Sequence, residues 1–150
     1  MKKIFISTFL IFFLFIFESI AKDTFLSLKN DTVNVRYQPT LNSPIKYIYT
    51  KKNLPVKLID KKENFRRIID LKNNGGWIHR TQLKPSNSFI ILENTILFKK
   101  PSNFSKPILR LRKGRLLIIK KCQNGWCQIN TGDYSGWVMV ITNNIWGSIN

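Results

Sequence analysis

Beyond residue 21, the chain consists of short runs in which apolar and polar residues alternate or nearly alternate. Ile45–Tyr49 and residues 109–112 show the two-residue period of a half-buried β-strand. Turn-forming clusters such as residues 73–76 and 131–133 separate these runs. Because no window beyond residue 21 has a convincing 3.6-residue apolar period, the pattern predicts an all-β protein of several short antiparallel strands.

The first 21 residues have a different pattern, which is typical of a secretory signal peptide. Lys2 and Lys3 precede a nearly unbroken apolar run at residues 4–17. Ser19 and Ala21 then place small residues at the two positions that a signal peptidase reads. An apolar run of about 14 residues is marginal for a bilayer core that needs roughly 20. We therefore expect cleavage after Ala21 and a periplasmic or secreted protein; a retained N-terminal anchor is the alternative.

The remaining chain contains two copies of one pattern. Pro39 and Pro101, near the start of each copy, lie 62 residues apart. Each copy ends on a Gly-Trp-aliphatic triplet, and the two triplets, which begin at Gly76 and Gly136, lie 60 residues apart. Landmarks that recur in one order at nearly one spacing indicate a tandem duplication.

The length of each copy sets the architecture that we predict. Several short strands in about 55–60 residues are typical of a small antiparallel barrel. The polar, proline-bearing stretch after residue 84 is a natural boundary. The sequence therefore predicts two small barrels, at residues 22–84 and 91–150, joined by a linker at residues 85–90.

The two cysteines lie on either side of a predicted β-hairpin turn. Asn124-Gly125 is the strongest short signal for a two-residue type I′ turn, in which both residues need a positive φ. In such a hairpin Cys122 and Cys127 lie opposite each other, about 4.5 Å apart at Cα. Export to an oxidising compartment favours a disulfide between them. Two reduced structural cysteines are the alternative, and a redox-active pair is less favoured than either.

The composition argues against most kinds of enzyme site. One histidine and two cysteines among 150 residues supply too few donors for most multi-ligand zinc sites. His79 has no nucleophile or orienting acid that the sequence places beside it, and no glycine-rich phosphate loop is present. We therefore expect a binding protein without enzymatic activity, metal or cofactor. An envelope hydrolase is the least favoured alternative, because no nucleophile and base can be paired.

The net charge bears on the partner. The chain has 25 Lys and Arg against 8 Asp and Glu, a formal net charge of +17. A charge this high attracts anionic partners. Export argues against nucleic acid and favours acidic envelope polymers, lipid head groups or acidic proteins. The alternative is a compositional bias that places lysines on a solvated surface.

Each copy opens and closes with a short motif. The first opens with Asn34-Val35-Arg36 before Pro39 and closes with Gly76-Trp77-Ile78-His79. The second closes with Gly136-Trp137-Val138 but has Ile96-Leu97-Phe98 where the first has Asn-Val-Arg. These motifs resemble the bacterial SH3-like (SH3b) domain in its secreted, tandem form. The resemblance implies two five-stranded barrels that bind cell-wall peptides or envelope proteins, and the changed opening means that the copies need not bind the same ligand.

Aromatic residues are the candidates for ligand contact, since an aromatic platform beside charged side chains holds extended peptides in SH3-type grooves. Half-buried strand packing is the alternative for the tyrosines, and sealing of the barrel is the alternative for the tryptophans. We expect binding of a cell-wall stem peptide or an envelope protein; the alternative is a scaffold that holds a partner protein without affinity for peptidoglycan. The candidate residues are Tyr37, Tyr47, Tyr49, Trp77, Trp126 and Trp137.

Overall fold

Two seven-stranded antiparallel sheets, one for each copy of the repeat, make up the protein. The structure is a computed structural model that describes residues 23–149. The predicted signal peptide and its cleavage site after Ala21 lie outside the described residues. Within residues 23–149, no helix is long and apolar enough to cross a membrane.

The first sheet is built from seven short strands, and a 3₁₀ turn at Arg80–Gln82 precedes the last of them. The strands are β1 (Phe25–Leu28), β2 (Val33–Arg36), β3 (Ile45–Tyr49), β4 (Pro55–Lys62), β5 (Phe65–Ile69), β6 (Gly75–His79) and β7 (Leu83–Pro85). They lie in the order β3-β2-β6-β5-β4-β1-β7. In β2, Val33 and Val35 are buried while Asn34 and Arg36 lie on the other face, as the alternating pattern predicts.

A single hydrophobic core fills the inside of this sheet. Its buried members come from six different strands, so the sheet has to curve around them. The buried residues are Leu28, Val33, Val35, Val56, Ile68, Ile78 and Leu83.

The second sheet repeats the first strand for strand, with a 3₁₀ turn at Thr142–Asn144. Its strands are β8 (Ser88–Ile91), β9 (Thr95–Phe98), β10 (Pro107–Leu111), β11 (Leu116–Gln123), β12 (Trp126–Thr131), β13 (Tyr134–Met139) and β14 (Ile145–Gly147). They lie in the matching order β10-β9-β13-β12-β11-β8-β14 around a core of their own. The all-β prediction and the tandem repeat are thus confirmed.

The Gly-Trp motifs have a steric cause that is shared by both copies. A Cβ atom added at Gly76 would lie 2.9 Å from the carbonyl oxygen of Arg36. At Gly136, the same atom would lie 2.7 Å from the carbonyl oxygen of Phe98. Only glycine therefore allows β6 and β13 to approach β2 and β9 this closely.

The predicted hairpin and its disulfide are present. Asn124 and Gly125 have φ values of 49° and 78°, so both turn residues have the positive φ that a type I′ turn requires. Cys122 pairs with Cys127 in the adjoining ladder, and a disulfide joins them. Cys127 is fully buried in the second core, so the bond ties the hairpin to that core.

The structure shortens the predicted linker at residues 85–90. Strand β7 ends at Pro85 and β8 begins at Ser88, so only Ser86 and Asn87 lie between the sheets. All four residues of β8 are buried, and the strand pairs with β11 on one side and β14 on the other. Because β8 begins with the polar residue Ser88, the sequence pattern did not predict a buried strand here.

The two barrels pack against each other around that short connection. Ser88 donates a hydrogen bond of 2.5 Å to the carbonyl oxygen of Asn53, which leaves the Ser27 hydroxyl to donate to Ser88 Oγ at 2.9 Å. Trp146 Nε1 donates to the carbonyl oxygen of Pro55 at 3.1 Å. The Trp146 ring also meets Phe25 edge to face, with 5.1 Å between the ring centroids. Hydrogen bonds of two buried serines and the half-buried Trp146 contacts therefore fix the junction.

Candidate functional site

A row of three outward-facing side chains crosses the first barrel. Trp77 in β6 lies opposite Arg36 in β2 on one side and opposite Arg67 in β5 on the other. Directly paired residues of antiparallel strands project from the same face, so the Trp77 side chain projects between those of Arg36 and Arg67. This row forms part of a groove of about 530 Å³, whose lining also includes Tyr37 and Lys46.

The loop that follows β2 holds one wall of the groove. Arg36 Nη1 donates to the carbonyl oxygen of Ser43 at 2.6 Å, and the buried Ser43 hydroxyl accepts the Gln38 N–H at 2.9 Å. These bonds fix the loop that presents Tyr37, whose side chain is 61% exposed. Lys46 Nζ donates to the carbonyl oxygen of Gly75 at 2.9 Å and lies 5.8 Å from the centre of the Tyr37 ring. The wall is therefore aromatic and cationic, and its position is fixed.

The electrostatics of the groove are one-sided. Arg36, Lys46 and Arg67 contribute three cations, and none of the described residues that line the groove is acidic. Arg67 is exposed, and its guanidinium has no hydrogen bond or ion pair with any residue between 23 and 149. Arg67 is thus available to an external anion, and guanidinium groups bind carboxylates through two parallel hydrogen bonds.

Tyr47 and Tyr49 lie away from the groove lining. Both project from one face of β3, as predicted, but that face packs against the core. Their hydroxyls lie 3.2 Å apart, and the Tyr49 hydroxyl donates to Asp70 Oδ2 at 3.1 Å. Burial raises the pKa of Tyr47. The pKa of Tyr49 is raised strongly, mainly by burial and secondly by its hydrogen bond to Tyr47. These side chains hold the barrel together.

Asp70 links that half-buried tyrosine pair to the edge of the groove. Its carboxylate accepts the backbone N–H groups of Lys72 and Asn74, each at 2.9 Å. The turn that it organises includes Asn73, which lines the groove and has a φ of 64°. Asparagine adopts this left-handed conformation more readily than most residues. The tyrosines therefore support the groove indirectly.

The equivalent row in the second barrel has no charged residue. Trp137 lies opposite Phe98 and Gln128, which occupy the positions of the two arginines. The Trp137 side chain is only 8% exposed, and Lys121 Nζ lies 5.4 Å from its ring centre. Trp126 is equally buried and packs edge to face on Phe98. Of the six aromatic candidates, only Tyr37 and Trp77 line the basic groove.

His79 has a local structural role. Its Nδ1 atom lies 2.7 Å from the Thr81 hydroxyl, and its ring packs edge to face on Phe65. Across residues 23–149, no three His, Cys, Asp or Glu side chains converge in a way that could hold a metal ion.

Sequence reasoning missed Lys46 and Arg67 as members of the site. Neither was chosen as a candidate for ligand contact, because both counted only toward the general basic excess. A signal for Arg67 does exist, because it lies two residues after the aromatic Phe65 in the strand that pairs with Trp77. Period-two alternation and the correct register together would have placed it beside the indole.

The profile of the bacterial SH3 domain matches the chain twice, at residues 29–85 and 93–147. The chain belongs to the bacterial SH3 domain family. Each match falls on one of the two seven-stranded sheets, so the protein is a tandem pair of bacterial SH3 domains, as the motifs indicated. No curated protein matches the chain.

Two solved structures are similar to the chain at low sequence identity. The structure of NlpC2 from Trichomonas vaginalis has 16% identity and a TM-score of 0.37, over 83% of this chain and 48% of that one. The structure of NlpC1 from Trichomonas vaginalis has 14% identity and a TM-score of 0.39, over 85% of this chain and 46% of that one. The chain thus spans about half the length of each.

Proposed function

We propose that this protein is an exported, non-enzymatic binding protein of the bacterial envelope, and that its first SH3 domain binds an acidic cell-wall peptide. The observation that supports this most is the position of Trp77 between Arg36 and Arg67. An aromatic ring flanked by two guanidinium groups, with no acidic side chain in the groove lining, complements a ligand that is both apolar and anionic.

The chemistry of a cell-wall stem peptide fits this groove. Such a peptide combines small aliphatic side chains with free carboxylates. Arg67 and Lys46 would bind the carboxylates, while the faces of Trp77 and Tyr37 would cover the aliphatic parts. At about 530 Å³ the groove has the size of a small-ligand site, which commonly ranges over roughly 300–1,000 Å³.

The composition of the groove lining supports a binding role. Arginine, lysine, tryptophan and tyrosine side chains line the groove, and its cationic side chains are suited to binding anions. Neither a nucleophile with an adjacent base nor a pair of carboxylates lies in the described lining. We therefore propose that the protein binds its ligand without chemically changing it.

Calorimetric titration with a soluble acidic stem peptide tests this function. Arg67→Gln removes a guanidinium that has no partner in the described fold, so stability is retained and affinity falls about tenfold or more. Arg112→Gln removes the same charge from an exposed position in the second barrel and serves as the matched control. Equal affinity of Arg67→Gln and wild type would contradict the proposal, as would cleavage of the peptide.

A further inference from the structure

The tip of the β9–β10 hairpin presents an exposed aromatic side chain. Phe104 lies in the loop at residues 99–106, which we call the Phe104 loop, and its side chain is fully exposed. A single exposed apolar residue is ordinary on a soluble protein. The Phe104 loop differs from that ordinary case because internal hydrogen bonds order it and because it contains three lysines.

Internal hydrogen bonds hold the Phe104 loop in one shape. At its base, the Lys99 N–H donates to the carbonyl oxygen of Lys106 at 3.0 Å. The Lys100 N–H donates to Ser105 Oγ at 2.9 Å, and the Phe104 N–H donates to Ser102 Oγ at 3.2 Å. The phenyl ring therefore projects from a structured turn and has no contact that shields it from water.

The Phe104 loop carries only positive charge. Lys99, Lys100 and Lys106 are all exposed, and the loop contains no acidic residue. The ion pair found between residues 23 and 149 joins Lys57 to Asp23 and involves no residue of this loop. The three lysines of the loop that carries this apolar tip thus have no carboxylate partner among the described residues.

We propose that the Phe104 loop is a contact site for an anionic lipid surface. The phenyl ring would enter the boundary between head groups and acyl chains, and the three lysines would bind the anionic head groups. A projecting apolar side chain in a loop with flexible lysine side chains suits a lipid surface, because a lipid surface needs no complementary shape. A protein partner would have to supply a pocket for the ring. This contact lies in the second barrel and is independent of the basic groove.

The first barrel contains a natural control. Its equivalent loop, residues 37–44, exposes Leu41 at 67% but contains no lysine or other charged residue. Arg36 and Lys46 lie beside this loop and are held by backbone carbonyl oxygens of Ser43 and Gly75. The two loops therefore offer an exposed apolar tip with and without lysines in the loop itself, in the same chain and on the same scaffold.

Fluorescence quenching by brominated lipids tests the proposal at the level of single residues. The full chain has an apolar run at residues 4–17 that can attach to vesicles by itself, so the measurement has to be local. We compare Phe104→Trp with Leu41→Trp, after subtraction of the wild-type signal, on phosphatidylglycerol vesicles brominated near the upper acyl chain. The indole at position 104 should be quenched and shifted to the blue, and the indole at position 41 should not.

The charge component has its own variant. Replacing all three lysines with glutamine in the Phe104→Trp background should weaken vesicle binding of the loop, by roughly fivefold for each lysine. Quenching should likewise fall on neutral phosphatidylcholine vesicles. Equal quenching at positions 104 and 41, or equal quenching on neutral and anionic vesicles, would overturn the proposal. Neither result would affect peptide binding by the groove, so the two proposals fail separately.

Discussion

Trp77 lies directly opposite Arg36 across strands β6 and β2, on the outer face of the first barrel. In the second barrel, the same register places Phe98 opposite Trp137. Both copies of the fold thus have the tryptophan, but its cross-strand neighbours differ. They are two arginines in the first barrel and a phenylalanine and a glutamine in the second. The two SH3 domains therefore share a fold and present different side chains beside this tryptophan.

The close approach at Gly76 should make this position intolerant of any side chain. An added Cβ would lie 2.5 Å from Val35 Cγ1 and 2.9 Å from the carbonyl oxygen of Arg36. We expect Gly76→Ala to lower the free energy of unfolding by about 1–3 kcal/mol, since overpacking a strand contact displaces backbone as well as side chains. Urea unfolding measures this loss. Ser135→Ala, at an exposed strand position, is the control, and an unchanged midpoint for Gly76→Ala would show that the strands can separate freely.

The disulfide should stabilise the second barrel although it closes a short loop. Six residues from Cys122 to Cys127 correspond to about 2 kcal/mol in the loop-entropy treatment. Replacing both cysteines with alanine should lower the unfolding free energy by about that amount, which thermal unfolding of oxidised and variant protein would detect. Titration of the denatured wild-type protein should find no free thiol. Two reactive thiols per chain would contradict the bond.

The tyrosine pair predicts a loss of stability in alkali. Burial raises the pKa of Tyr47 and Tyr49 in the folded state, whereas both ionise near pH 10 in the unfolded chain. Their contribution is therefore complete below about pH 10 and falls as the pH rises further, because the unfolded state loses protons first. Chemical unfolding between pH 8 and 11 should show this decline. The double variant Tyr47→Phe/Tyr49→Phe should flatten it, and Tyr37→Phe should not.

The junction between the barrels should couple their unfolding. Trp146 contributes both a hydrogen bond to Pro55 and an aromatic contact with Phe25. Trp146→Ala removes both, and we expect the single calorimetric transition of the wild type to separate into two. Trp146→Phe keeps a ring and should preserve most of the coupling. Two transitions in the wild type itself would show that the barrels unfold independently.

Much of the fold could be predicted from short-range patterns. The Asn124-Gly125 turn fixed the register of its hairpin, and with it the cysteine pairing, because the turn and the bond lie within six residues. The Gly-Trp triplets located one strand in each copy, since their steric requirement is local. By contrast, the polar residue that begins β8 concealed a buried strand, because Ser88 is satisfied by hydrogen bonds from the other barrel.

The site was harder to predict because it depends on which strands are neighbours. Arg36, Trp77 and Arg67 are far apart in the sequence and meet only through the order β2-β6-β5. Alternation correctly placed Tyr47 and Tyr49 on one face but could not say that this face packs on the core. Burial of that kind is a property of the whole sheet, and a single strand does not encode it.

The binding role of the first barrel is tested most directly by the indole N–H resonances of the four tryptophans, followed by NMR as an acidic stem peptide is added. Trp77 lines the groove, whereas Trp126 and Trp137 are buried in the second barrel and Trp146 lies at the junction. We expect the Trp77 signal, assigned with Trp77→Phe, to move while the other three stay in place. A shift confined to the other tryptophans, or no shift at millimolar peptide, would contradict the assignment of the groove as the binding site.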